Sequence, residues 1–278
     1  MSMQDFTVIF VIWRECVEAL LVIGILNAWL GQRPAAQRRA GRVWLWSGVG
    51  VGLIGAVVLA ALLLTVGDAL SDDAQEYFQT VIVLLAAALI VQMVFWMRRR
   101  GRTLKSDLRA SLSEVADQSN WLGVFALAAL AVLREGSEAA VFLYGTIAGV
   151  SATNLGAALA AGLGIVAALV SYWLLQLGGK VLSWRTFFQV TEVMLLFLAG
   201  SLLLSGIDHL ISLGLLPSLS GRLWDTSLLL PDSGMAGGLI SGLIGYRARP
   251  VLIELLTFAA YWALITWLLY RPHSVQQA

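Results

Sequence analysis

Long runs of apolar residues, separated by short polar connections, dominate the chain. A helix that crosses a membrane needs about 20 predominantly apolar residues. Runs of this kind lie at 6–30, 43–66, 75–97, 121–148, 155–178, 186–206 and 251–270. The pattern therefore predicts an all-α polytopic membrane protein with about seven transmembrane helices.

The composition agrees with this prediction. Hydrophobic residues make up 59% of the chain and charged residues only 13%, whereas a soluble domain carries about 25% charged residues. The mean hydropathy is +0.83. A single cysteine, Cys16, excludes an internal disulfide framework and a metal site built from several cysteines.

Lys and Arg residues are concentrated in alternate connections. The connections 31–42 and 98–120 are basic, whereas 67–74 and 149–154 contain no Lys or Arg. Basic connections stay on the cytoplasmic side of a membrane. The pattern therefore predicts an N-terminus outside and a C-terminus in the cytoplasm, and the first and fourth helices then run antiparallel.

The order of the runs predicts a single integral membrane domain over 1–278 that contains two inverted repeats of three helices. The repeats cover about 6–97 and about 121–206, and an extracytoplasmic loop at 207–250 and a final helix at 251–270 follow. Transporters of this design bind their substrate near the midplane, where the repeats meet.

Three smaller features complete the predicted architecture. The segment 104–118 is expected to form an interfacial helix or a solvated linker helix. The segment 234–246 is too short to span and is expected to be re-entrant or surface-lying. Glycines within 48–55 and 162–164 are expected to allow close helix packing.

Two Arg-Glu-x-x-Glu motifs lie inside the first and fourth apolar runs. They are Arg14-Glu15-Cys16-Val17-Glu18 and Arg134-Glu135-Gly136-Ser137-Glu138. The three charged side chains of each motif share one helix face. A charged residue at the centre of a membrane helix costs about 2.5–3.5 kcal/mol, so both motifs are expected to face the bundle interior. The first motif also marks the first run as a retained helix rather than a signal peptide.

The charge balance of the motifs favours a cation site over a structural clamp. Each motif has two carboxylates and one guanidinium, so the two together carry a formal charge of −2. Uncompensated buried charge is costly, and carboxylate oxygens suit hard metal ions. The alternative is a network of ion pairs, some at i,i+4 spacing, that fastens the two helices. The predicted metal ligands are Glu15, Glu18, Glu135 and Glu138, and the predicted carboxylate-orienting residues are Arg14 and Arg134.

Further candidates for the metal path lie outside the motifs. Glu76 and Glu192 are near the starts of the third and sixth helices, at roughly corresponding repeat positions, and each is either part of the path or an ordinary polar residue. Asp208 beside His209 would offer a carboxylate and an imidazole to an arriving metal ion, or form a solvated loop pair. Glu254 is expected to be solvated near the outer end of the last helix.

The motifs and their surroundings resemble the oxidase-dependent high-affinity iron permeases, a family that includes fungal and bacterial EfeU-type members. The family signature is Arg-Glu-Gly-x-Glu in the first and fourth helices. The second copy fits fully, and the first has Cys16 in place of glycine. The resemblance covers nearly the whole chain and extends to Phe95-Trp96-Met97-Arg98, Gly206-Ile207-Asp208-His209-Leu210 and Trp224-Asp225-Thr226-Ser227.

The resemblance implies uptake of iron, as Fe³⁺ or Fe²⁺, across the inner (cytoplasmic) cell membrane, with the motif glutamates essential for translocation. It implies no tightly bound cofactor, because the iron ion is the transported substrate. The expected partners are membrane lipid and periplasmic or extracellular iron-oxidising and iron-delivery proteins, and no nucleic acid. The oligomeric state stays open.

Two other functions compete with iron uptake. Carboxylate chemistry also suits a permease for another cation, such as lead or manganese. An intramembrane enzyme is the other alternative. The chain contains two histidines and neither an HExxH zinc motif nor a G-x-S-x-G elbow, so no enzymatic activity is expected.

Overall fold

The computed structural model describes residues 3–100, 121–147, 154–176, 184–232 and 234–270, and the regular structure in these ranges is entirely helical. Eight helices follow one another: α1 Met3–Gly31, α2 Ala35–Ala69, α3 Asp72–Arg100, α4 Trp121–Ile147, α5 Asn154–Gln176, α6 Trp184–Ser212, α7 Met235–Ile244 and α8 Leu252–Tyr270. Seven of them cover the seven apolar runs, and α7 occupies the short segment at 234–246. The segment 104–118 lies outside the described residues.

Five of the described helices are long and apolar enough to cross a membrane. They are Ala35–Ala69, Asp72–Arg98, Ala158–Gln176, Gln189–Ser212 and Leu252–Tyr270. The long helices α1 and α4 each carry the three charged residues of a motif near their middle. The architecture is that of a polytopic membrane protein, whereas seven spans and their orientation stay predictions.

Many large apolar side chains are exposed, and several charged side chains are buried. Ile54 and Val57 on α2 are 65% and 67% exposed, whereas Arg14 and Glu135 are 2% and 6% exposed. Apolar groups on the outside and charged groups on the inside suit a lipid environment, where no water solvates a charge. The motif faces therefore lie inside the bundle, as the sequence predicts.

The main helix contacts join the first three long helices to the next three. α2 packs on α4 and α1 packs on α5, two pairs that correspond when the predicted repeats are exchanged. α3 packs on α6, and α1 packs on α4. Each of these pairs joins a helix to its own counterpart in the other predicted repeat. A two-fold relation between the repeats would produce this pairing, and the inverted repeat itself stays a prediction. α7 packs on α6 and α1, and α8 packs on α6.

Glycines allow the closest of these contacts. A Cβ added at Gly48 of α2 would lie 2.4 Å from the carbonyl oxygen of Phe125 in α4. A Cβ added at Gly164 of α5 would lie 2.9 Å from the carbonyl oxygen of Ile9 in α1. The expected role in close packing is confirmed at these two positions. It is wrong for Gly50 and Gly162, where an added Cβ would meet no described atom within 4 Å.

The close approach at Gly48 predicts a stability difference between two otherwise similar substitutions. Gly48→Val and Gly50→Val add the same side chain to α2, but an added Cβ at Gly50 meets nothing within 4 Å. Overpacking costs about 1–3 kcal/mol, so we expect a lower thermal unfolding midpoint for the Gly48→Val protein in detergent. Equal midpoints for the two variants would contradict this account of the α2–α4 contact.

Candidate metal site

The two motifs meet inside the bundle. One oxygen from each of Glu15, Glu135 and Glu138 lies within 4.8 Å of the others. Glu15 and Glu135 are 7% and 6% exposed. Among the residues that the structure describes, this is the one group of at least three His, Cys, Asp or Glu side chains close enough to hold a metal ion. α1 and α4 therefore contribute carboxylates to a shared centre.

Each motif arginine pairs with carboxylates of its own helix. Arg14 Nη1 donates to Glu15 Oε1 at 2.8 Å, and Arg14 Nη2 lies 2.5 Å from Glu18 Oε1. Arg134 Nε donates to Glu138 Oε1 at 3.0 Å. Each of these ion pairs joins two residues of the same helix. Between α1 and α4, carboxylates therefore face carboxylates.

Two carboxylate oxygens at the centre have no hydrogen-bond partner among the residues that the structure describes. Glu15 Oε2 and Glu135 Oε2 are both buried and unpaired. Buried polar atoms are almost always paired in proteins, and an uncompensated buried charge is costly. A clamp would pair these oxygens with an arginine of the opposite helix. Their unpaired state favours a centre that a cation completes.

Glu18 lies beside this centre rather than in it. It pairs with Arg14 and is close enough to Glu15 and Glu138 to interact with them electrostatically. It does not belong to the three-carboxylate group. The structure therefore brings together three of the four predicted ligands and places the fourth next to them.

α3 contributes neighbours of the motif arginines that sequence reasoning missed. Arg14 Nη2 contacts the sulfur of Met93 and lies 3.8 Å from Met97 Sδ. The guanidinium carbon of Arg134 lies 4.4 Å from the centroid of the Trp96 ring. The one sequence feature that could have pointed to these neighbours is their spacing. Met93, Trp96 and Met97 lie at i, i+3 and i+4, which places them on one face of α3. In an apolar helix this spacing normally indicates core packing, so it carried no functional prediction.

Glu192 and Glu76 lie apart from the motif carboxylates. Glu192 on α6 forms an ion pair with Arg98 near the end of α3. Glu76 is exposed near the start of α3, and its backbone carbonyl accepts a hydrogen bond from Thr80. A role in translocation stays a prediction for both glutamates.

Asp208 belongs to a second polar cluster, at the end of α6. Arg247 Nη2 lies 3.0 Å from Asp208 Oδ2, and Arg247 Nε lies 3.6 Å from Glu254 Oε1. Arg247 also donates to Ser241 Oγ of α7 at 2.8 Å. The cluster ties α6, α7 and α8 together through one guanidinium. Within the described residues, neither Asp208 nor His209 is part of a group of three ligands, so their binding of a metal stays a prediction.

The expectation that Glu254 is solvated is wrong. Glu254 is 5% exposed, and its Oε2 accepts a hydrogen bond from the backbone N–H of Val251 at 2.8 Å. The carboxylate thus caps the first turn of α8 and also faces Arg247. Position near a helix end suggested solvent, but Val251 and Arg247 of the segment before α8 contact the carboxylate.

The remaining acids of this region hold the backbone in place. Hydrogen bonds from Ser227, together with Arg249, lower the pKa of Asp225 to about 2. Both carboxylate oxygens of Asp232 accept from the N–H of Ala248, at 3.0 and 3.1 Å. These contacts fasten the segment before α8 to the loop that precedes α7, so both acids have structural roles.

Nearly the whole chain matches a known family. A family model described as the iron permease FTR1 family matches residues 5–271. A ferrous iron permease EfeU of Yersinia pseudotuberculosis is 27% identical over 267 residues, which cover 93% of this chain and 90% of that protein. One of Escherichia coli is 28% identical over 265 residues, which cover 92% of each. No solved structure matches the chain closely enough for comparison.

The crowded carboxylates predict an unusual stability effect. Glu135→Gln removes one negative charge, removes one of the two unpaired oxygens and offers an amide donor to the other, Glu15 Oε2. In the presence of a chelator we expect this variant to unfold at a higher temperature than the wild type, because an unsatisfied buried polar group costs about 1–3 kcal/mol. Glu138→Gln is the comparison, since it weakens the ion pair with Arg134 and should give no such gain. A clear loss of stability in Glu135→Gln would instead favour the clamp.

Proposed function

Because this chain belongs to the iron permease FTR1 family, we propose that it is an iron-uptake permease of the cytoplasmic membrane whose central cation site is formed by Glu15, Glu135 and Glu138. One observation carries the proposal. Three carboxylate oxygens from two helices converge within 4.8 Å in an apolar bundle, and Glu15 Oε2 and Glu135 Oε2 lack partners. A cation supplies the missing charge.

Charge balance favours Fe²⁺ as the ion at this site. The two motifs together carry a formal charge of −2, so a divalent cation makes the centre neutral and Fe³⁺ leaves an excess positive charge. A neutral centre costs least in a membrane interior. The relatives from Yersinia pseudotuberculosis and Escherichia coli are both named ferrous iron permeases.

The polar residues outside the centre suggest a path for the ion. With the N-terminus outside, Asp208 and His209 lie at the outer end of α6, where Asp208 and Glu254 surround Arg247. An arriving cation would first meet these acids and then the central carboxylates. Glu192, paired with Arg98, lies on the cytoplasmic side of this path, and Glu76 lies at its outer edge.

Neutralising a central carboxylate is expected to reduce iron uptake strongly. In proteoliposomes supplied with radioactive iron and ascorbate, Glu15→Gln and Glu135→Gln should each reduce the initial rate at least about tenfold, the effect of losing about 1.4 kcal/mol of binding energy. Asp72→Asn, which changes an exposed acid at the start of α3, is the control and should transport normally. Full uptake by both glutamine variants would refute the site. Stronger transport of Mn²⁺ or Pb²⁺ than of iron would instead support a permease for another cation.

The preferred oxidation state is a separate prediction. We expect faster uptake of iron held as Fe²⁺ by ascorbate than of iron supplied as ferric citrate at equal concentration, by about tenfold or more if the unbalanced charge costs about 1.4 kcal/mol. A ferrous chelator added outside the vesicles should stop the uptake. Faster uptake from ferric citrate, insensitive to that chelator, would show that the charge argument is wrong.

A further inference from the structure

We propose that one turn of α3, Met93–Met97, positions both motif arginines and thereby decides which carboxylate oxygens are open to the cation. The inference rests on the proposed function of the central site. It assigns a positioning role to a segment, Phe95-Trp96-Met97-Arg98, that the sequence singles out without explaining.

A single face of α3 reaches the arginines of both motifs. Met93 and Met97 direct their sulfurs towards Nη2 of Arg14, and Trp96 lies under the guanidinium of Arg134. Met93 is 2% exposed. α3 packs directly against α4 and α6. It therefore contacts the site while contributing no charge to it.

The neutrality of these contacts explains why they matter. A guanidinium has five N–H donors and readily bridges two carboxylates. An arginine free to move in this bundle would bridge glutamates of opposite helices and occupy the place of the cation. A thioether sulfur is a weak acceptor and an aromatic face attracts a cation without a formal charge. The α3 turn therefore holds the guanidinium groups without neutralising them.

The two arginines depend on α3 to different degrees. The side chain of Arg14 is 3% exposed and pairs with two carboxylates, whereas that of Arg134 is 37% exposed and pairs with one. Arg134 is thus the less restrained of the two, and besides its pair with Glu138 its guanidinium contacts the Trp96 ring. Loss of the ring should release Arg134 towards the unpaired oxygen of Glu135.

The test measures Fe²⁺ uptake in proteoliposomes with ascorbate across a range of iron concentrations. Trp96→Leu should raise KM about fivefold with a smaller change in maximal rate, because a released guanidinium competes with the cation; cation–π contacts of this kind have the required strength. Trp96→Phe keeps an aromatic face and should shift KM in the same direction by less. Trp173→Leu, at a position that is 61% exposed on α5, is the matched control and should leave KM unchanged.

A double substitution separates positioning from general damage to the fold. In an Arg134→Gln background, Trp96→Leu should no longer change KM, because the group through which the ring acts is absent. The corresponding test for Arg14 is Met93→Leu, which keeps the volume and removes the sulfur, with Met194→Leu on α6 as its control. A defect in folding would instead lower uptake by the same factor whether or not Arg134 is present.

Failure of this inference and failure of the proposed function give different results. If the wild type takes up iron and Glu135→Gln does not, but Trp96→Leu and Trp96→Phe keep the wild-type KM, the positioning role is overturned and the central site stands. An equal KM effect of Trp96→Leu with and without Arg134 overturns it as well. If Glu135→Gln transports iron like the wild type, the proposed site itself falls.

Discussion

The cost of burying like charges in an apolar bundle is the constraint on which the rest of this structure depends. The motifs of α1 and α4 carry six charged residues between them, and a charge at the centre of a membrane helix is expensive when it faces lipid. The other helices enclose these charges, so that Arg14 is 2% exposed while Val57 on α2 is 67% exposed. The enclosed motifs carry more negative than positive charge, and the proposed cation would balance that excess.

The two most extensive contacts around the motifs use similar parts, with one difference. α2 closes on α4 and α1 closes on α5 through glycines that leave no room for a side chain. Within the motifs, a Cβ added at Gly136 would lie 2.4 Å from Ala56 Cβ, whereas Cys16 at the corresponding position packs in an apolar cluster with Ala168. The first motif thus accepts a larger residue where the second does not. The departure from the family signature changes packing and leaves the charges in place.

Local sequence features predicted the helices and the motif faces because those depend on neighbours along the chain. An apolar run of sufficient length has few alternatives to a membrane helix, and three charges on one face of such a helix have to turn inward. Contacts across the bundle were not predictable in this way. Nothing local distinguishes Trp96 from a lipid-facing tryptophan, and the surroundings of Glu254 include Arg247 of the segment before α8. Arg247 was missed for the same reason.

The geometry also bears on whether the two motifs form one site or successive stations. Glu15 comes from α1 and Glu135 and Glu138 from α4, and their oxygens share one volume, so a cation bound there contacts both motifs at once. Glu18 is the carboxylate left over, adjacent to the centre and paired with the fully buried Arg14. The partly exposed Arg134 pairs with Glu138, on the α4 side of the centre. A shared centre flanked by one arginine that pairs with two carboxylates and one that pairs with a single carboxylate has two unequal sides.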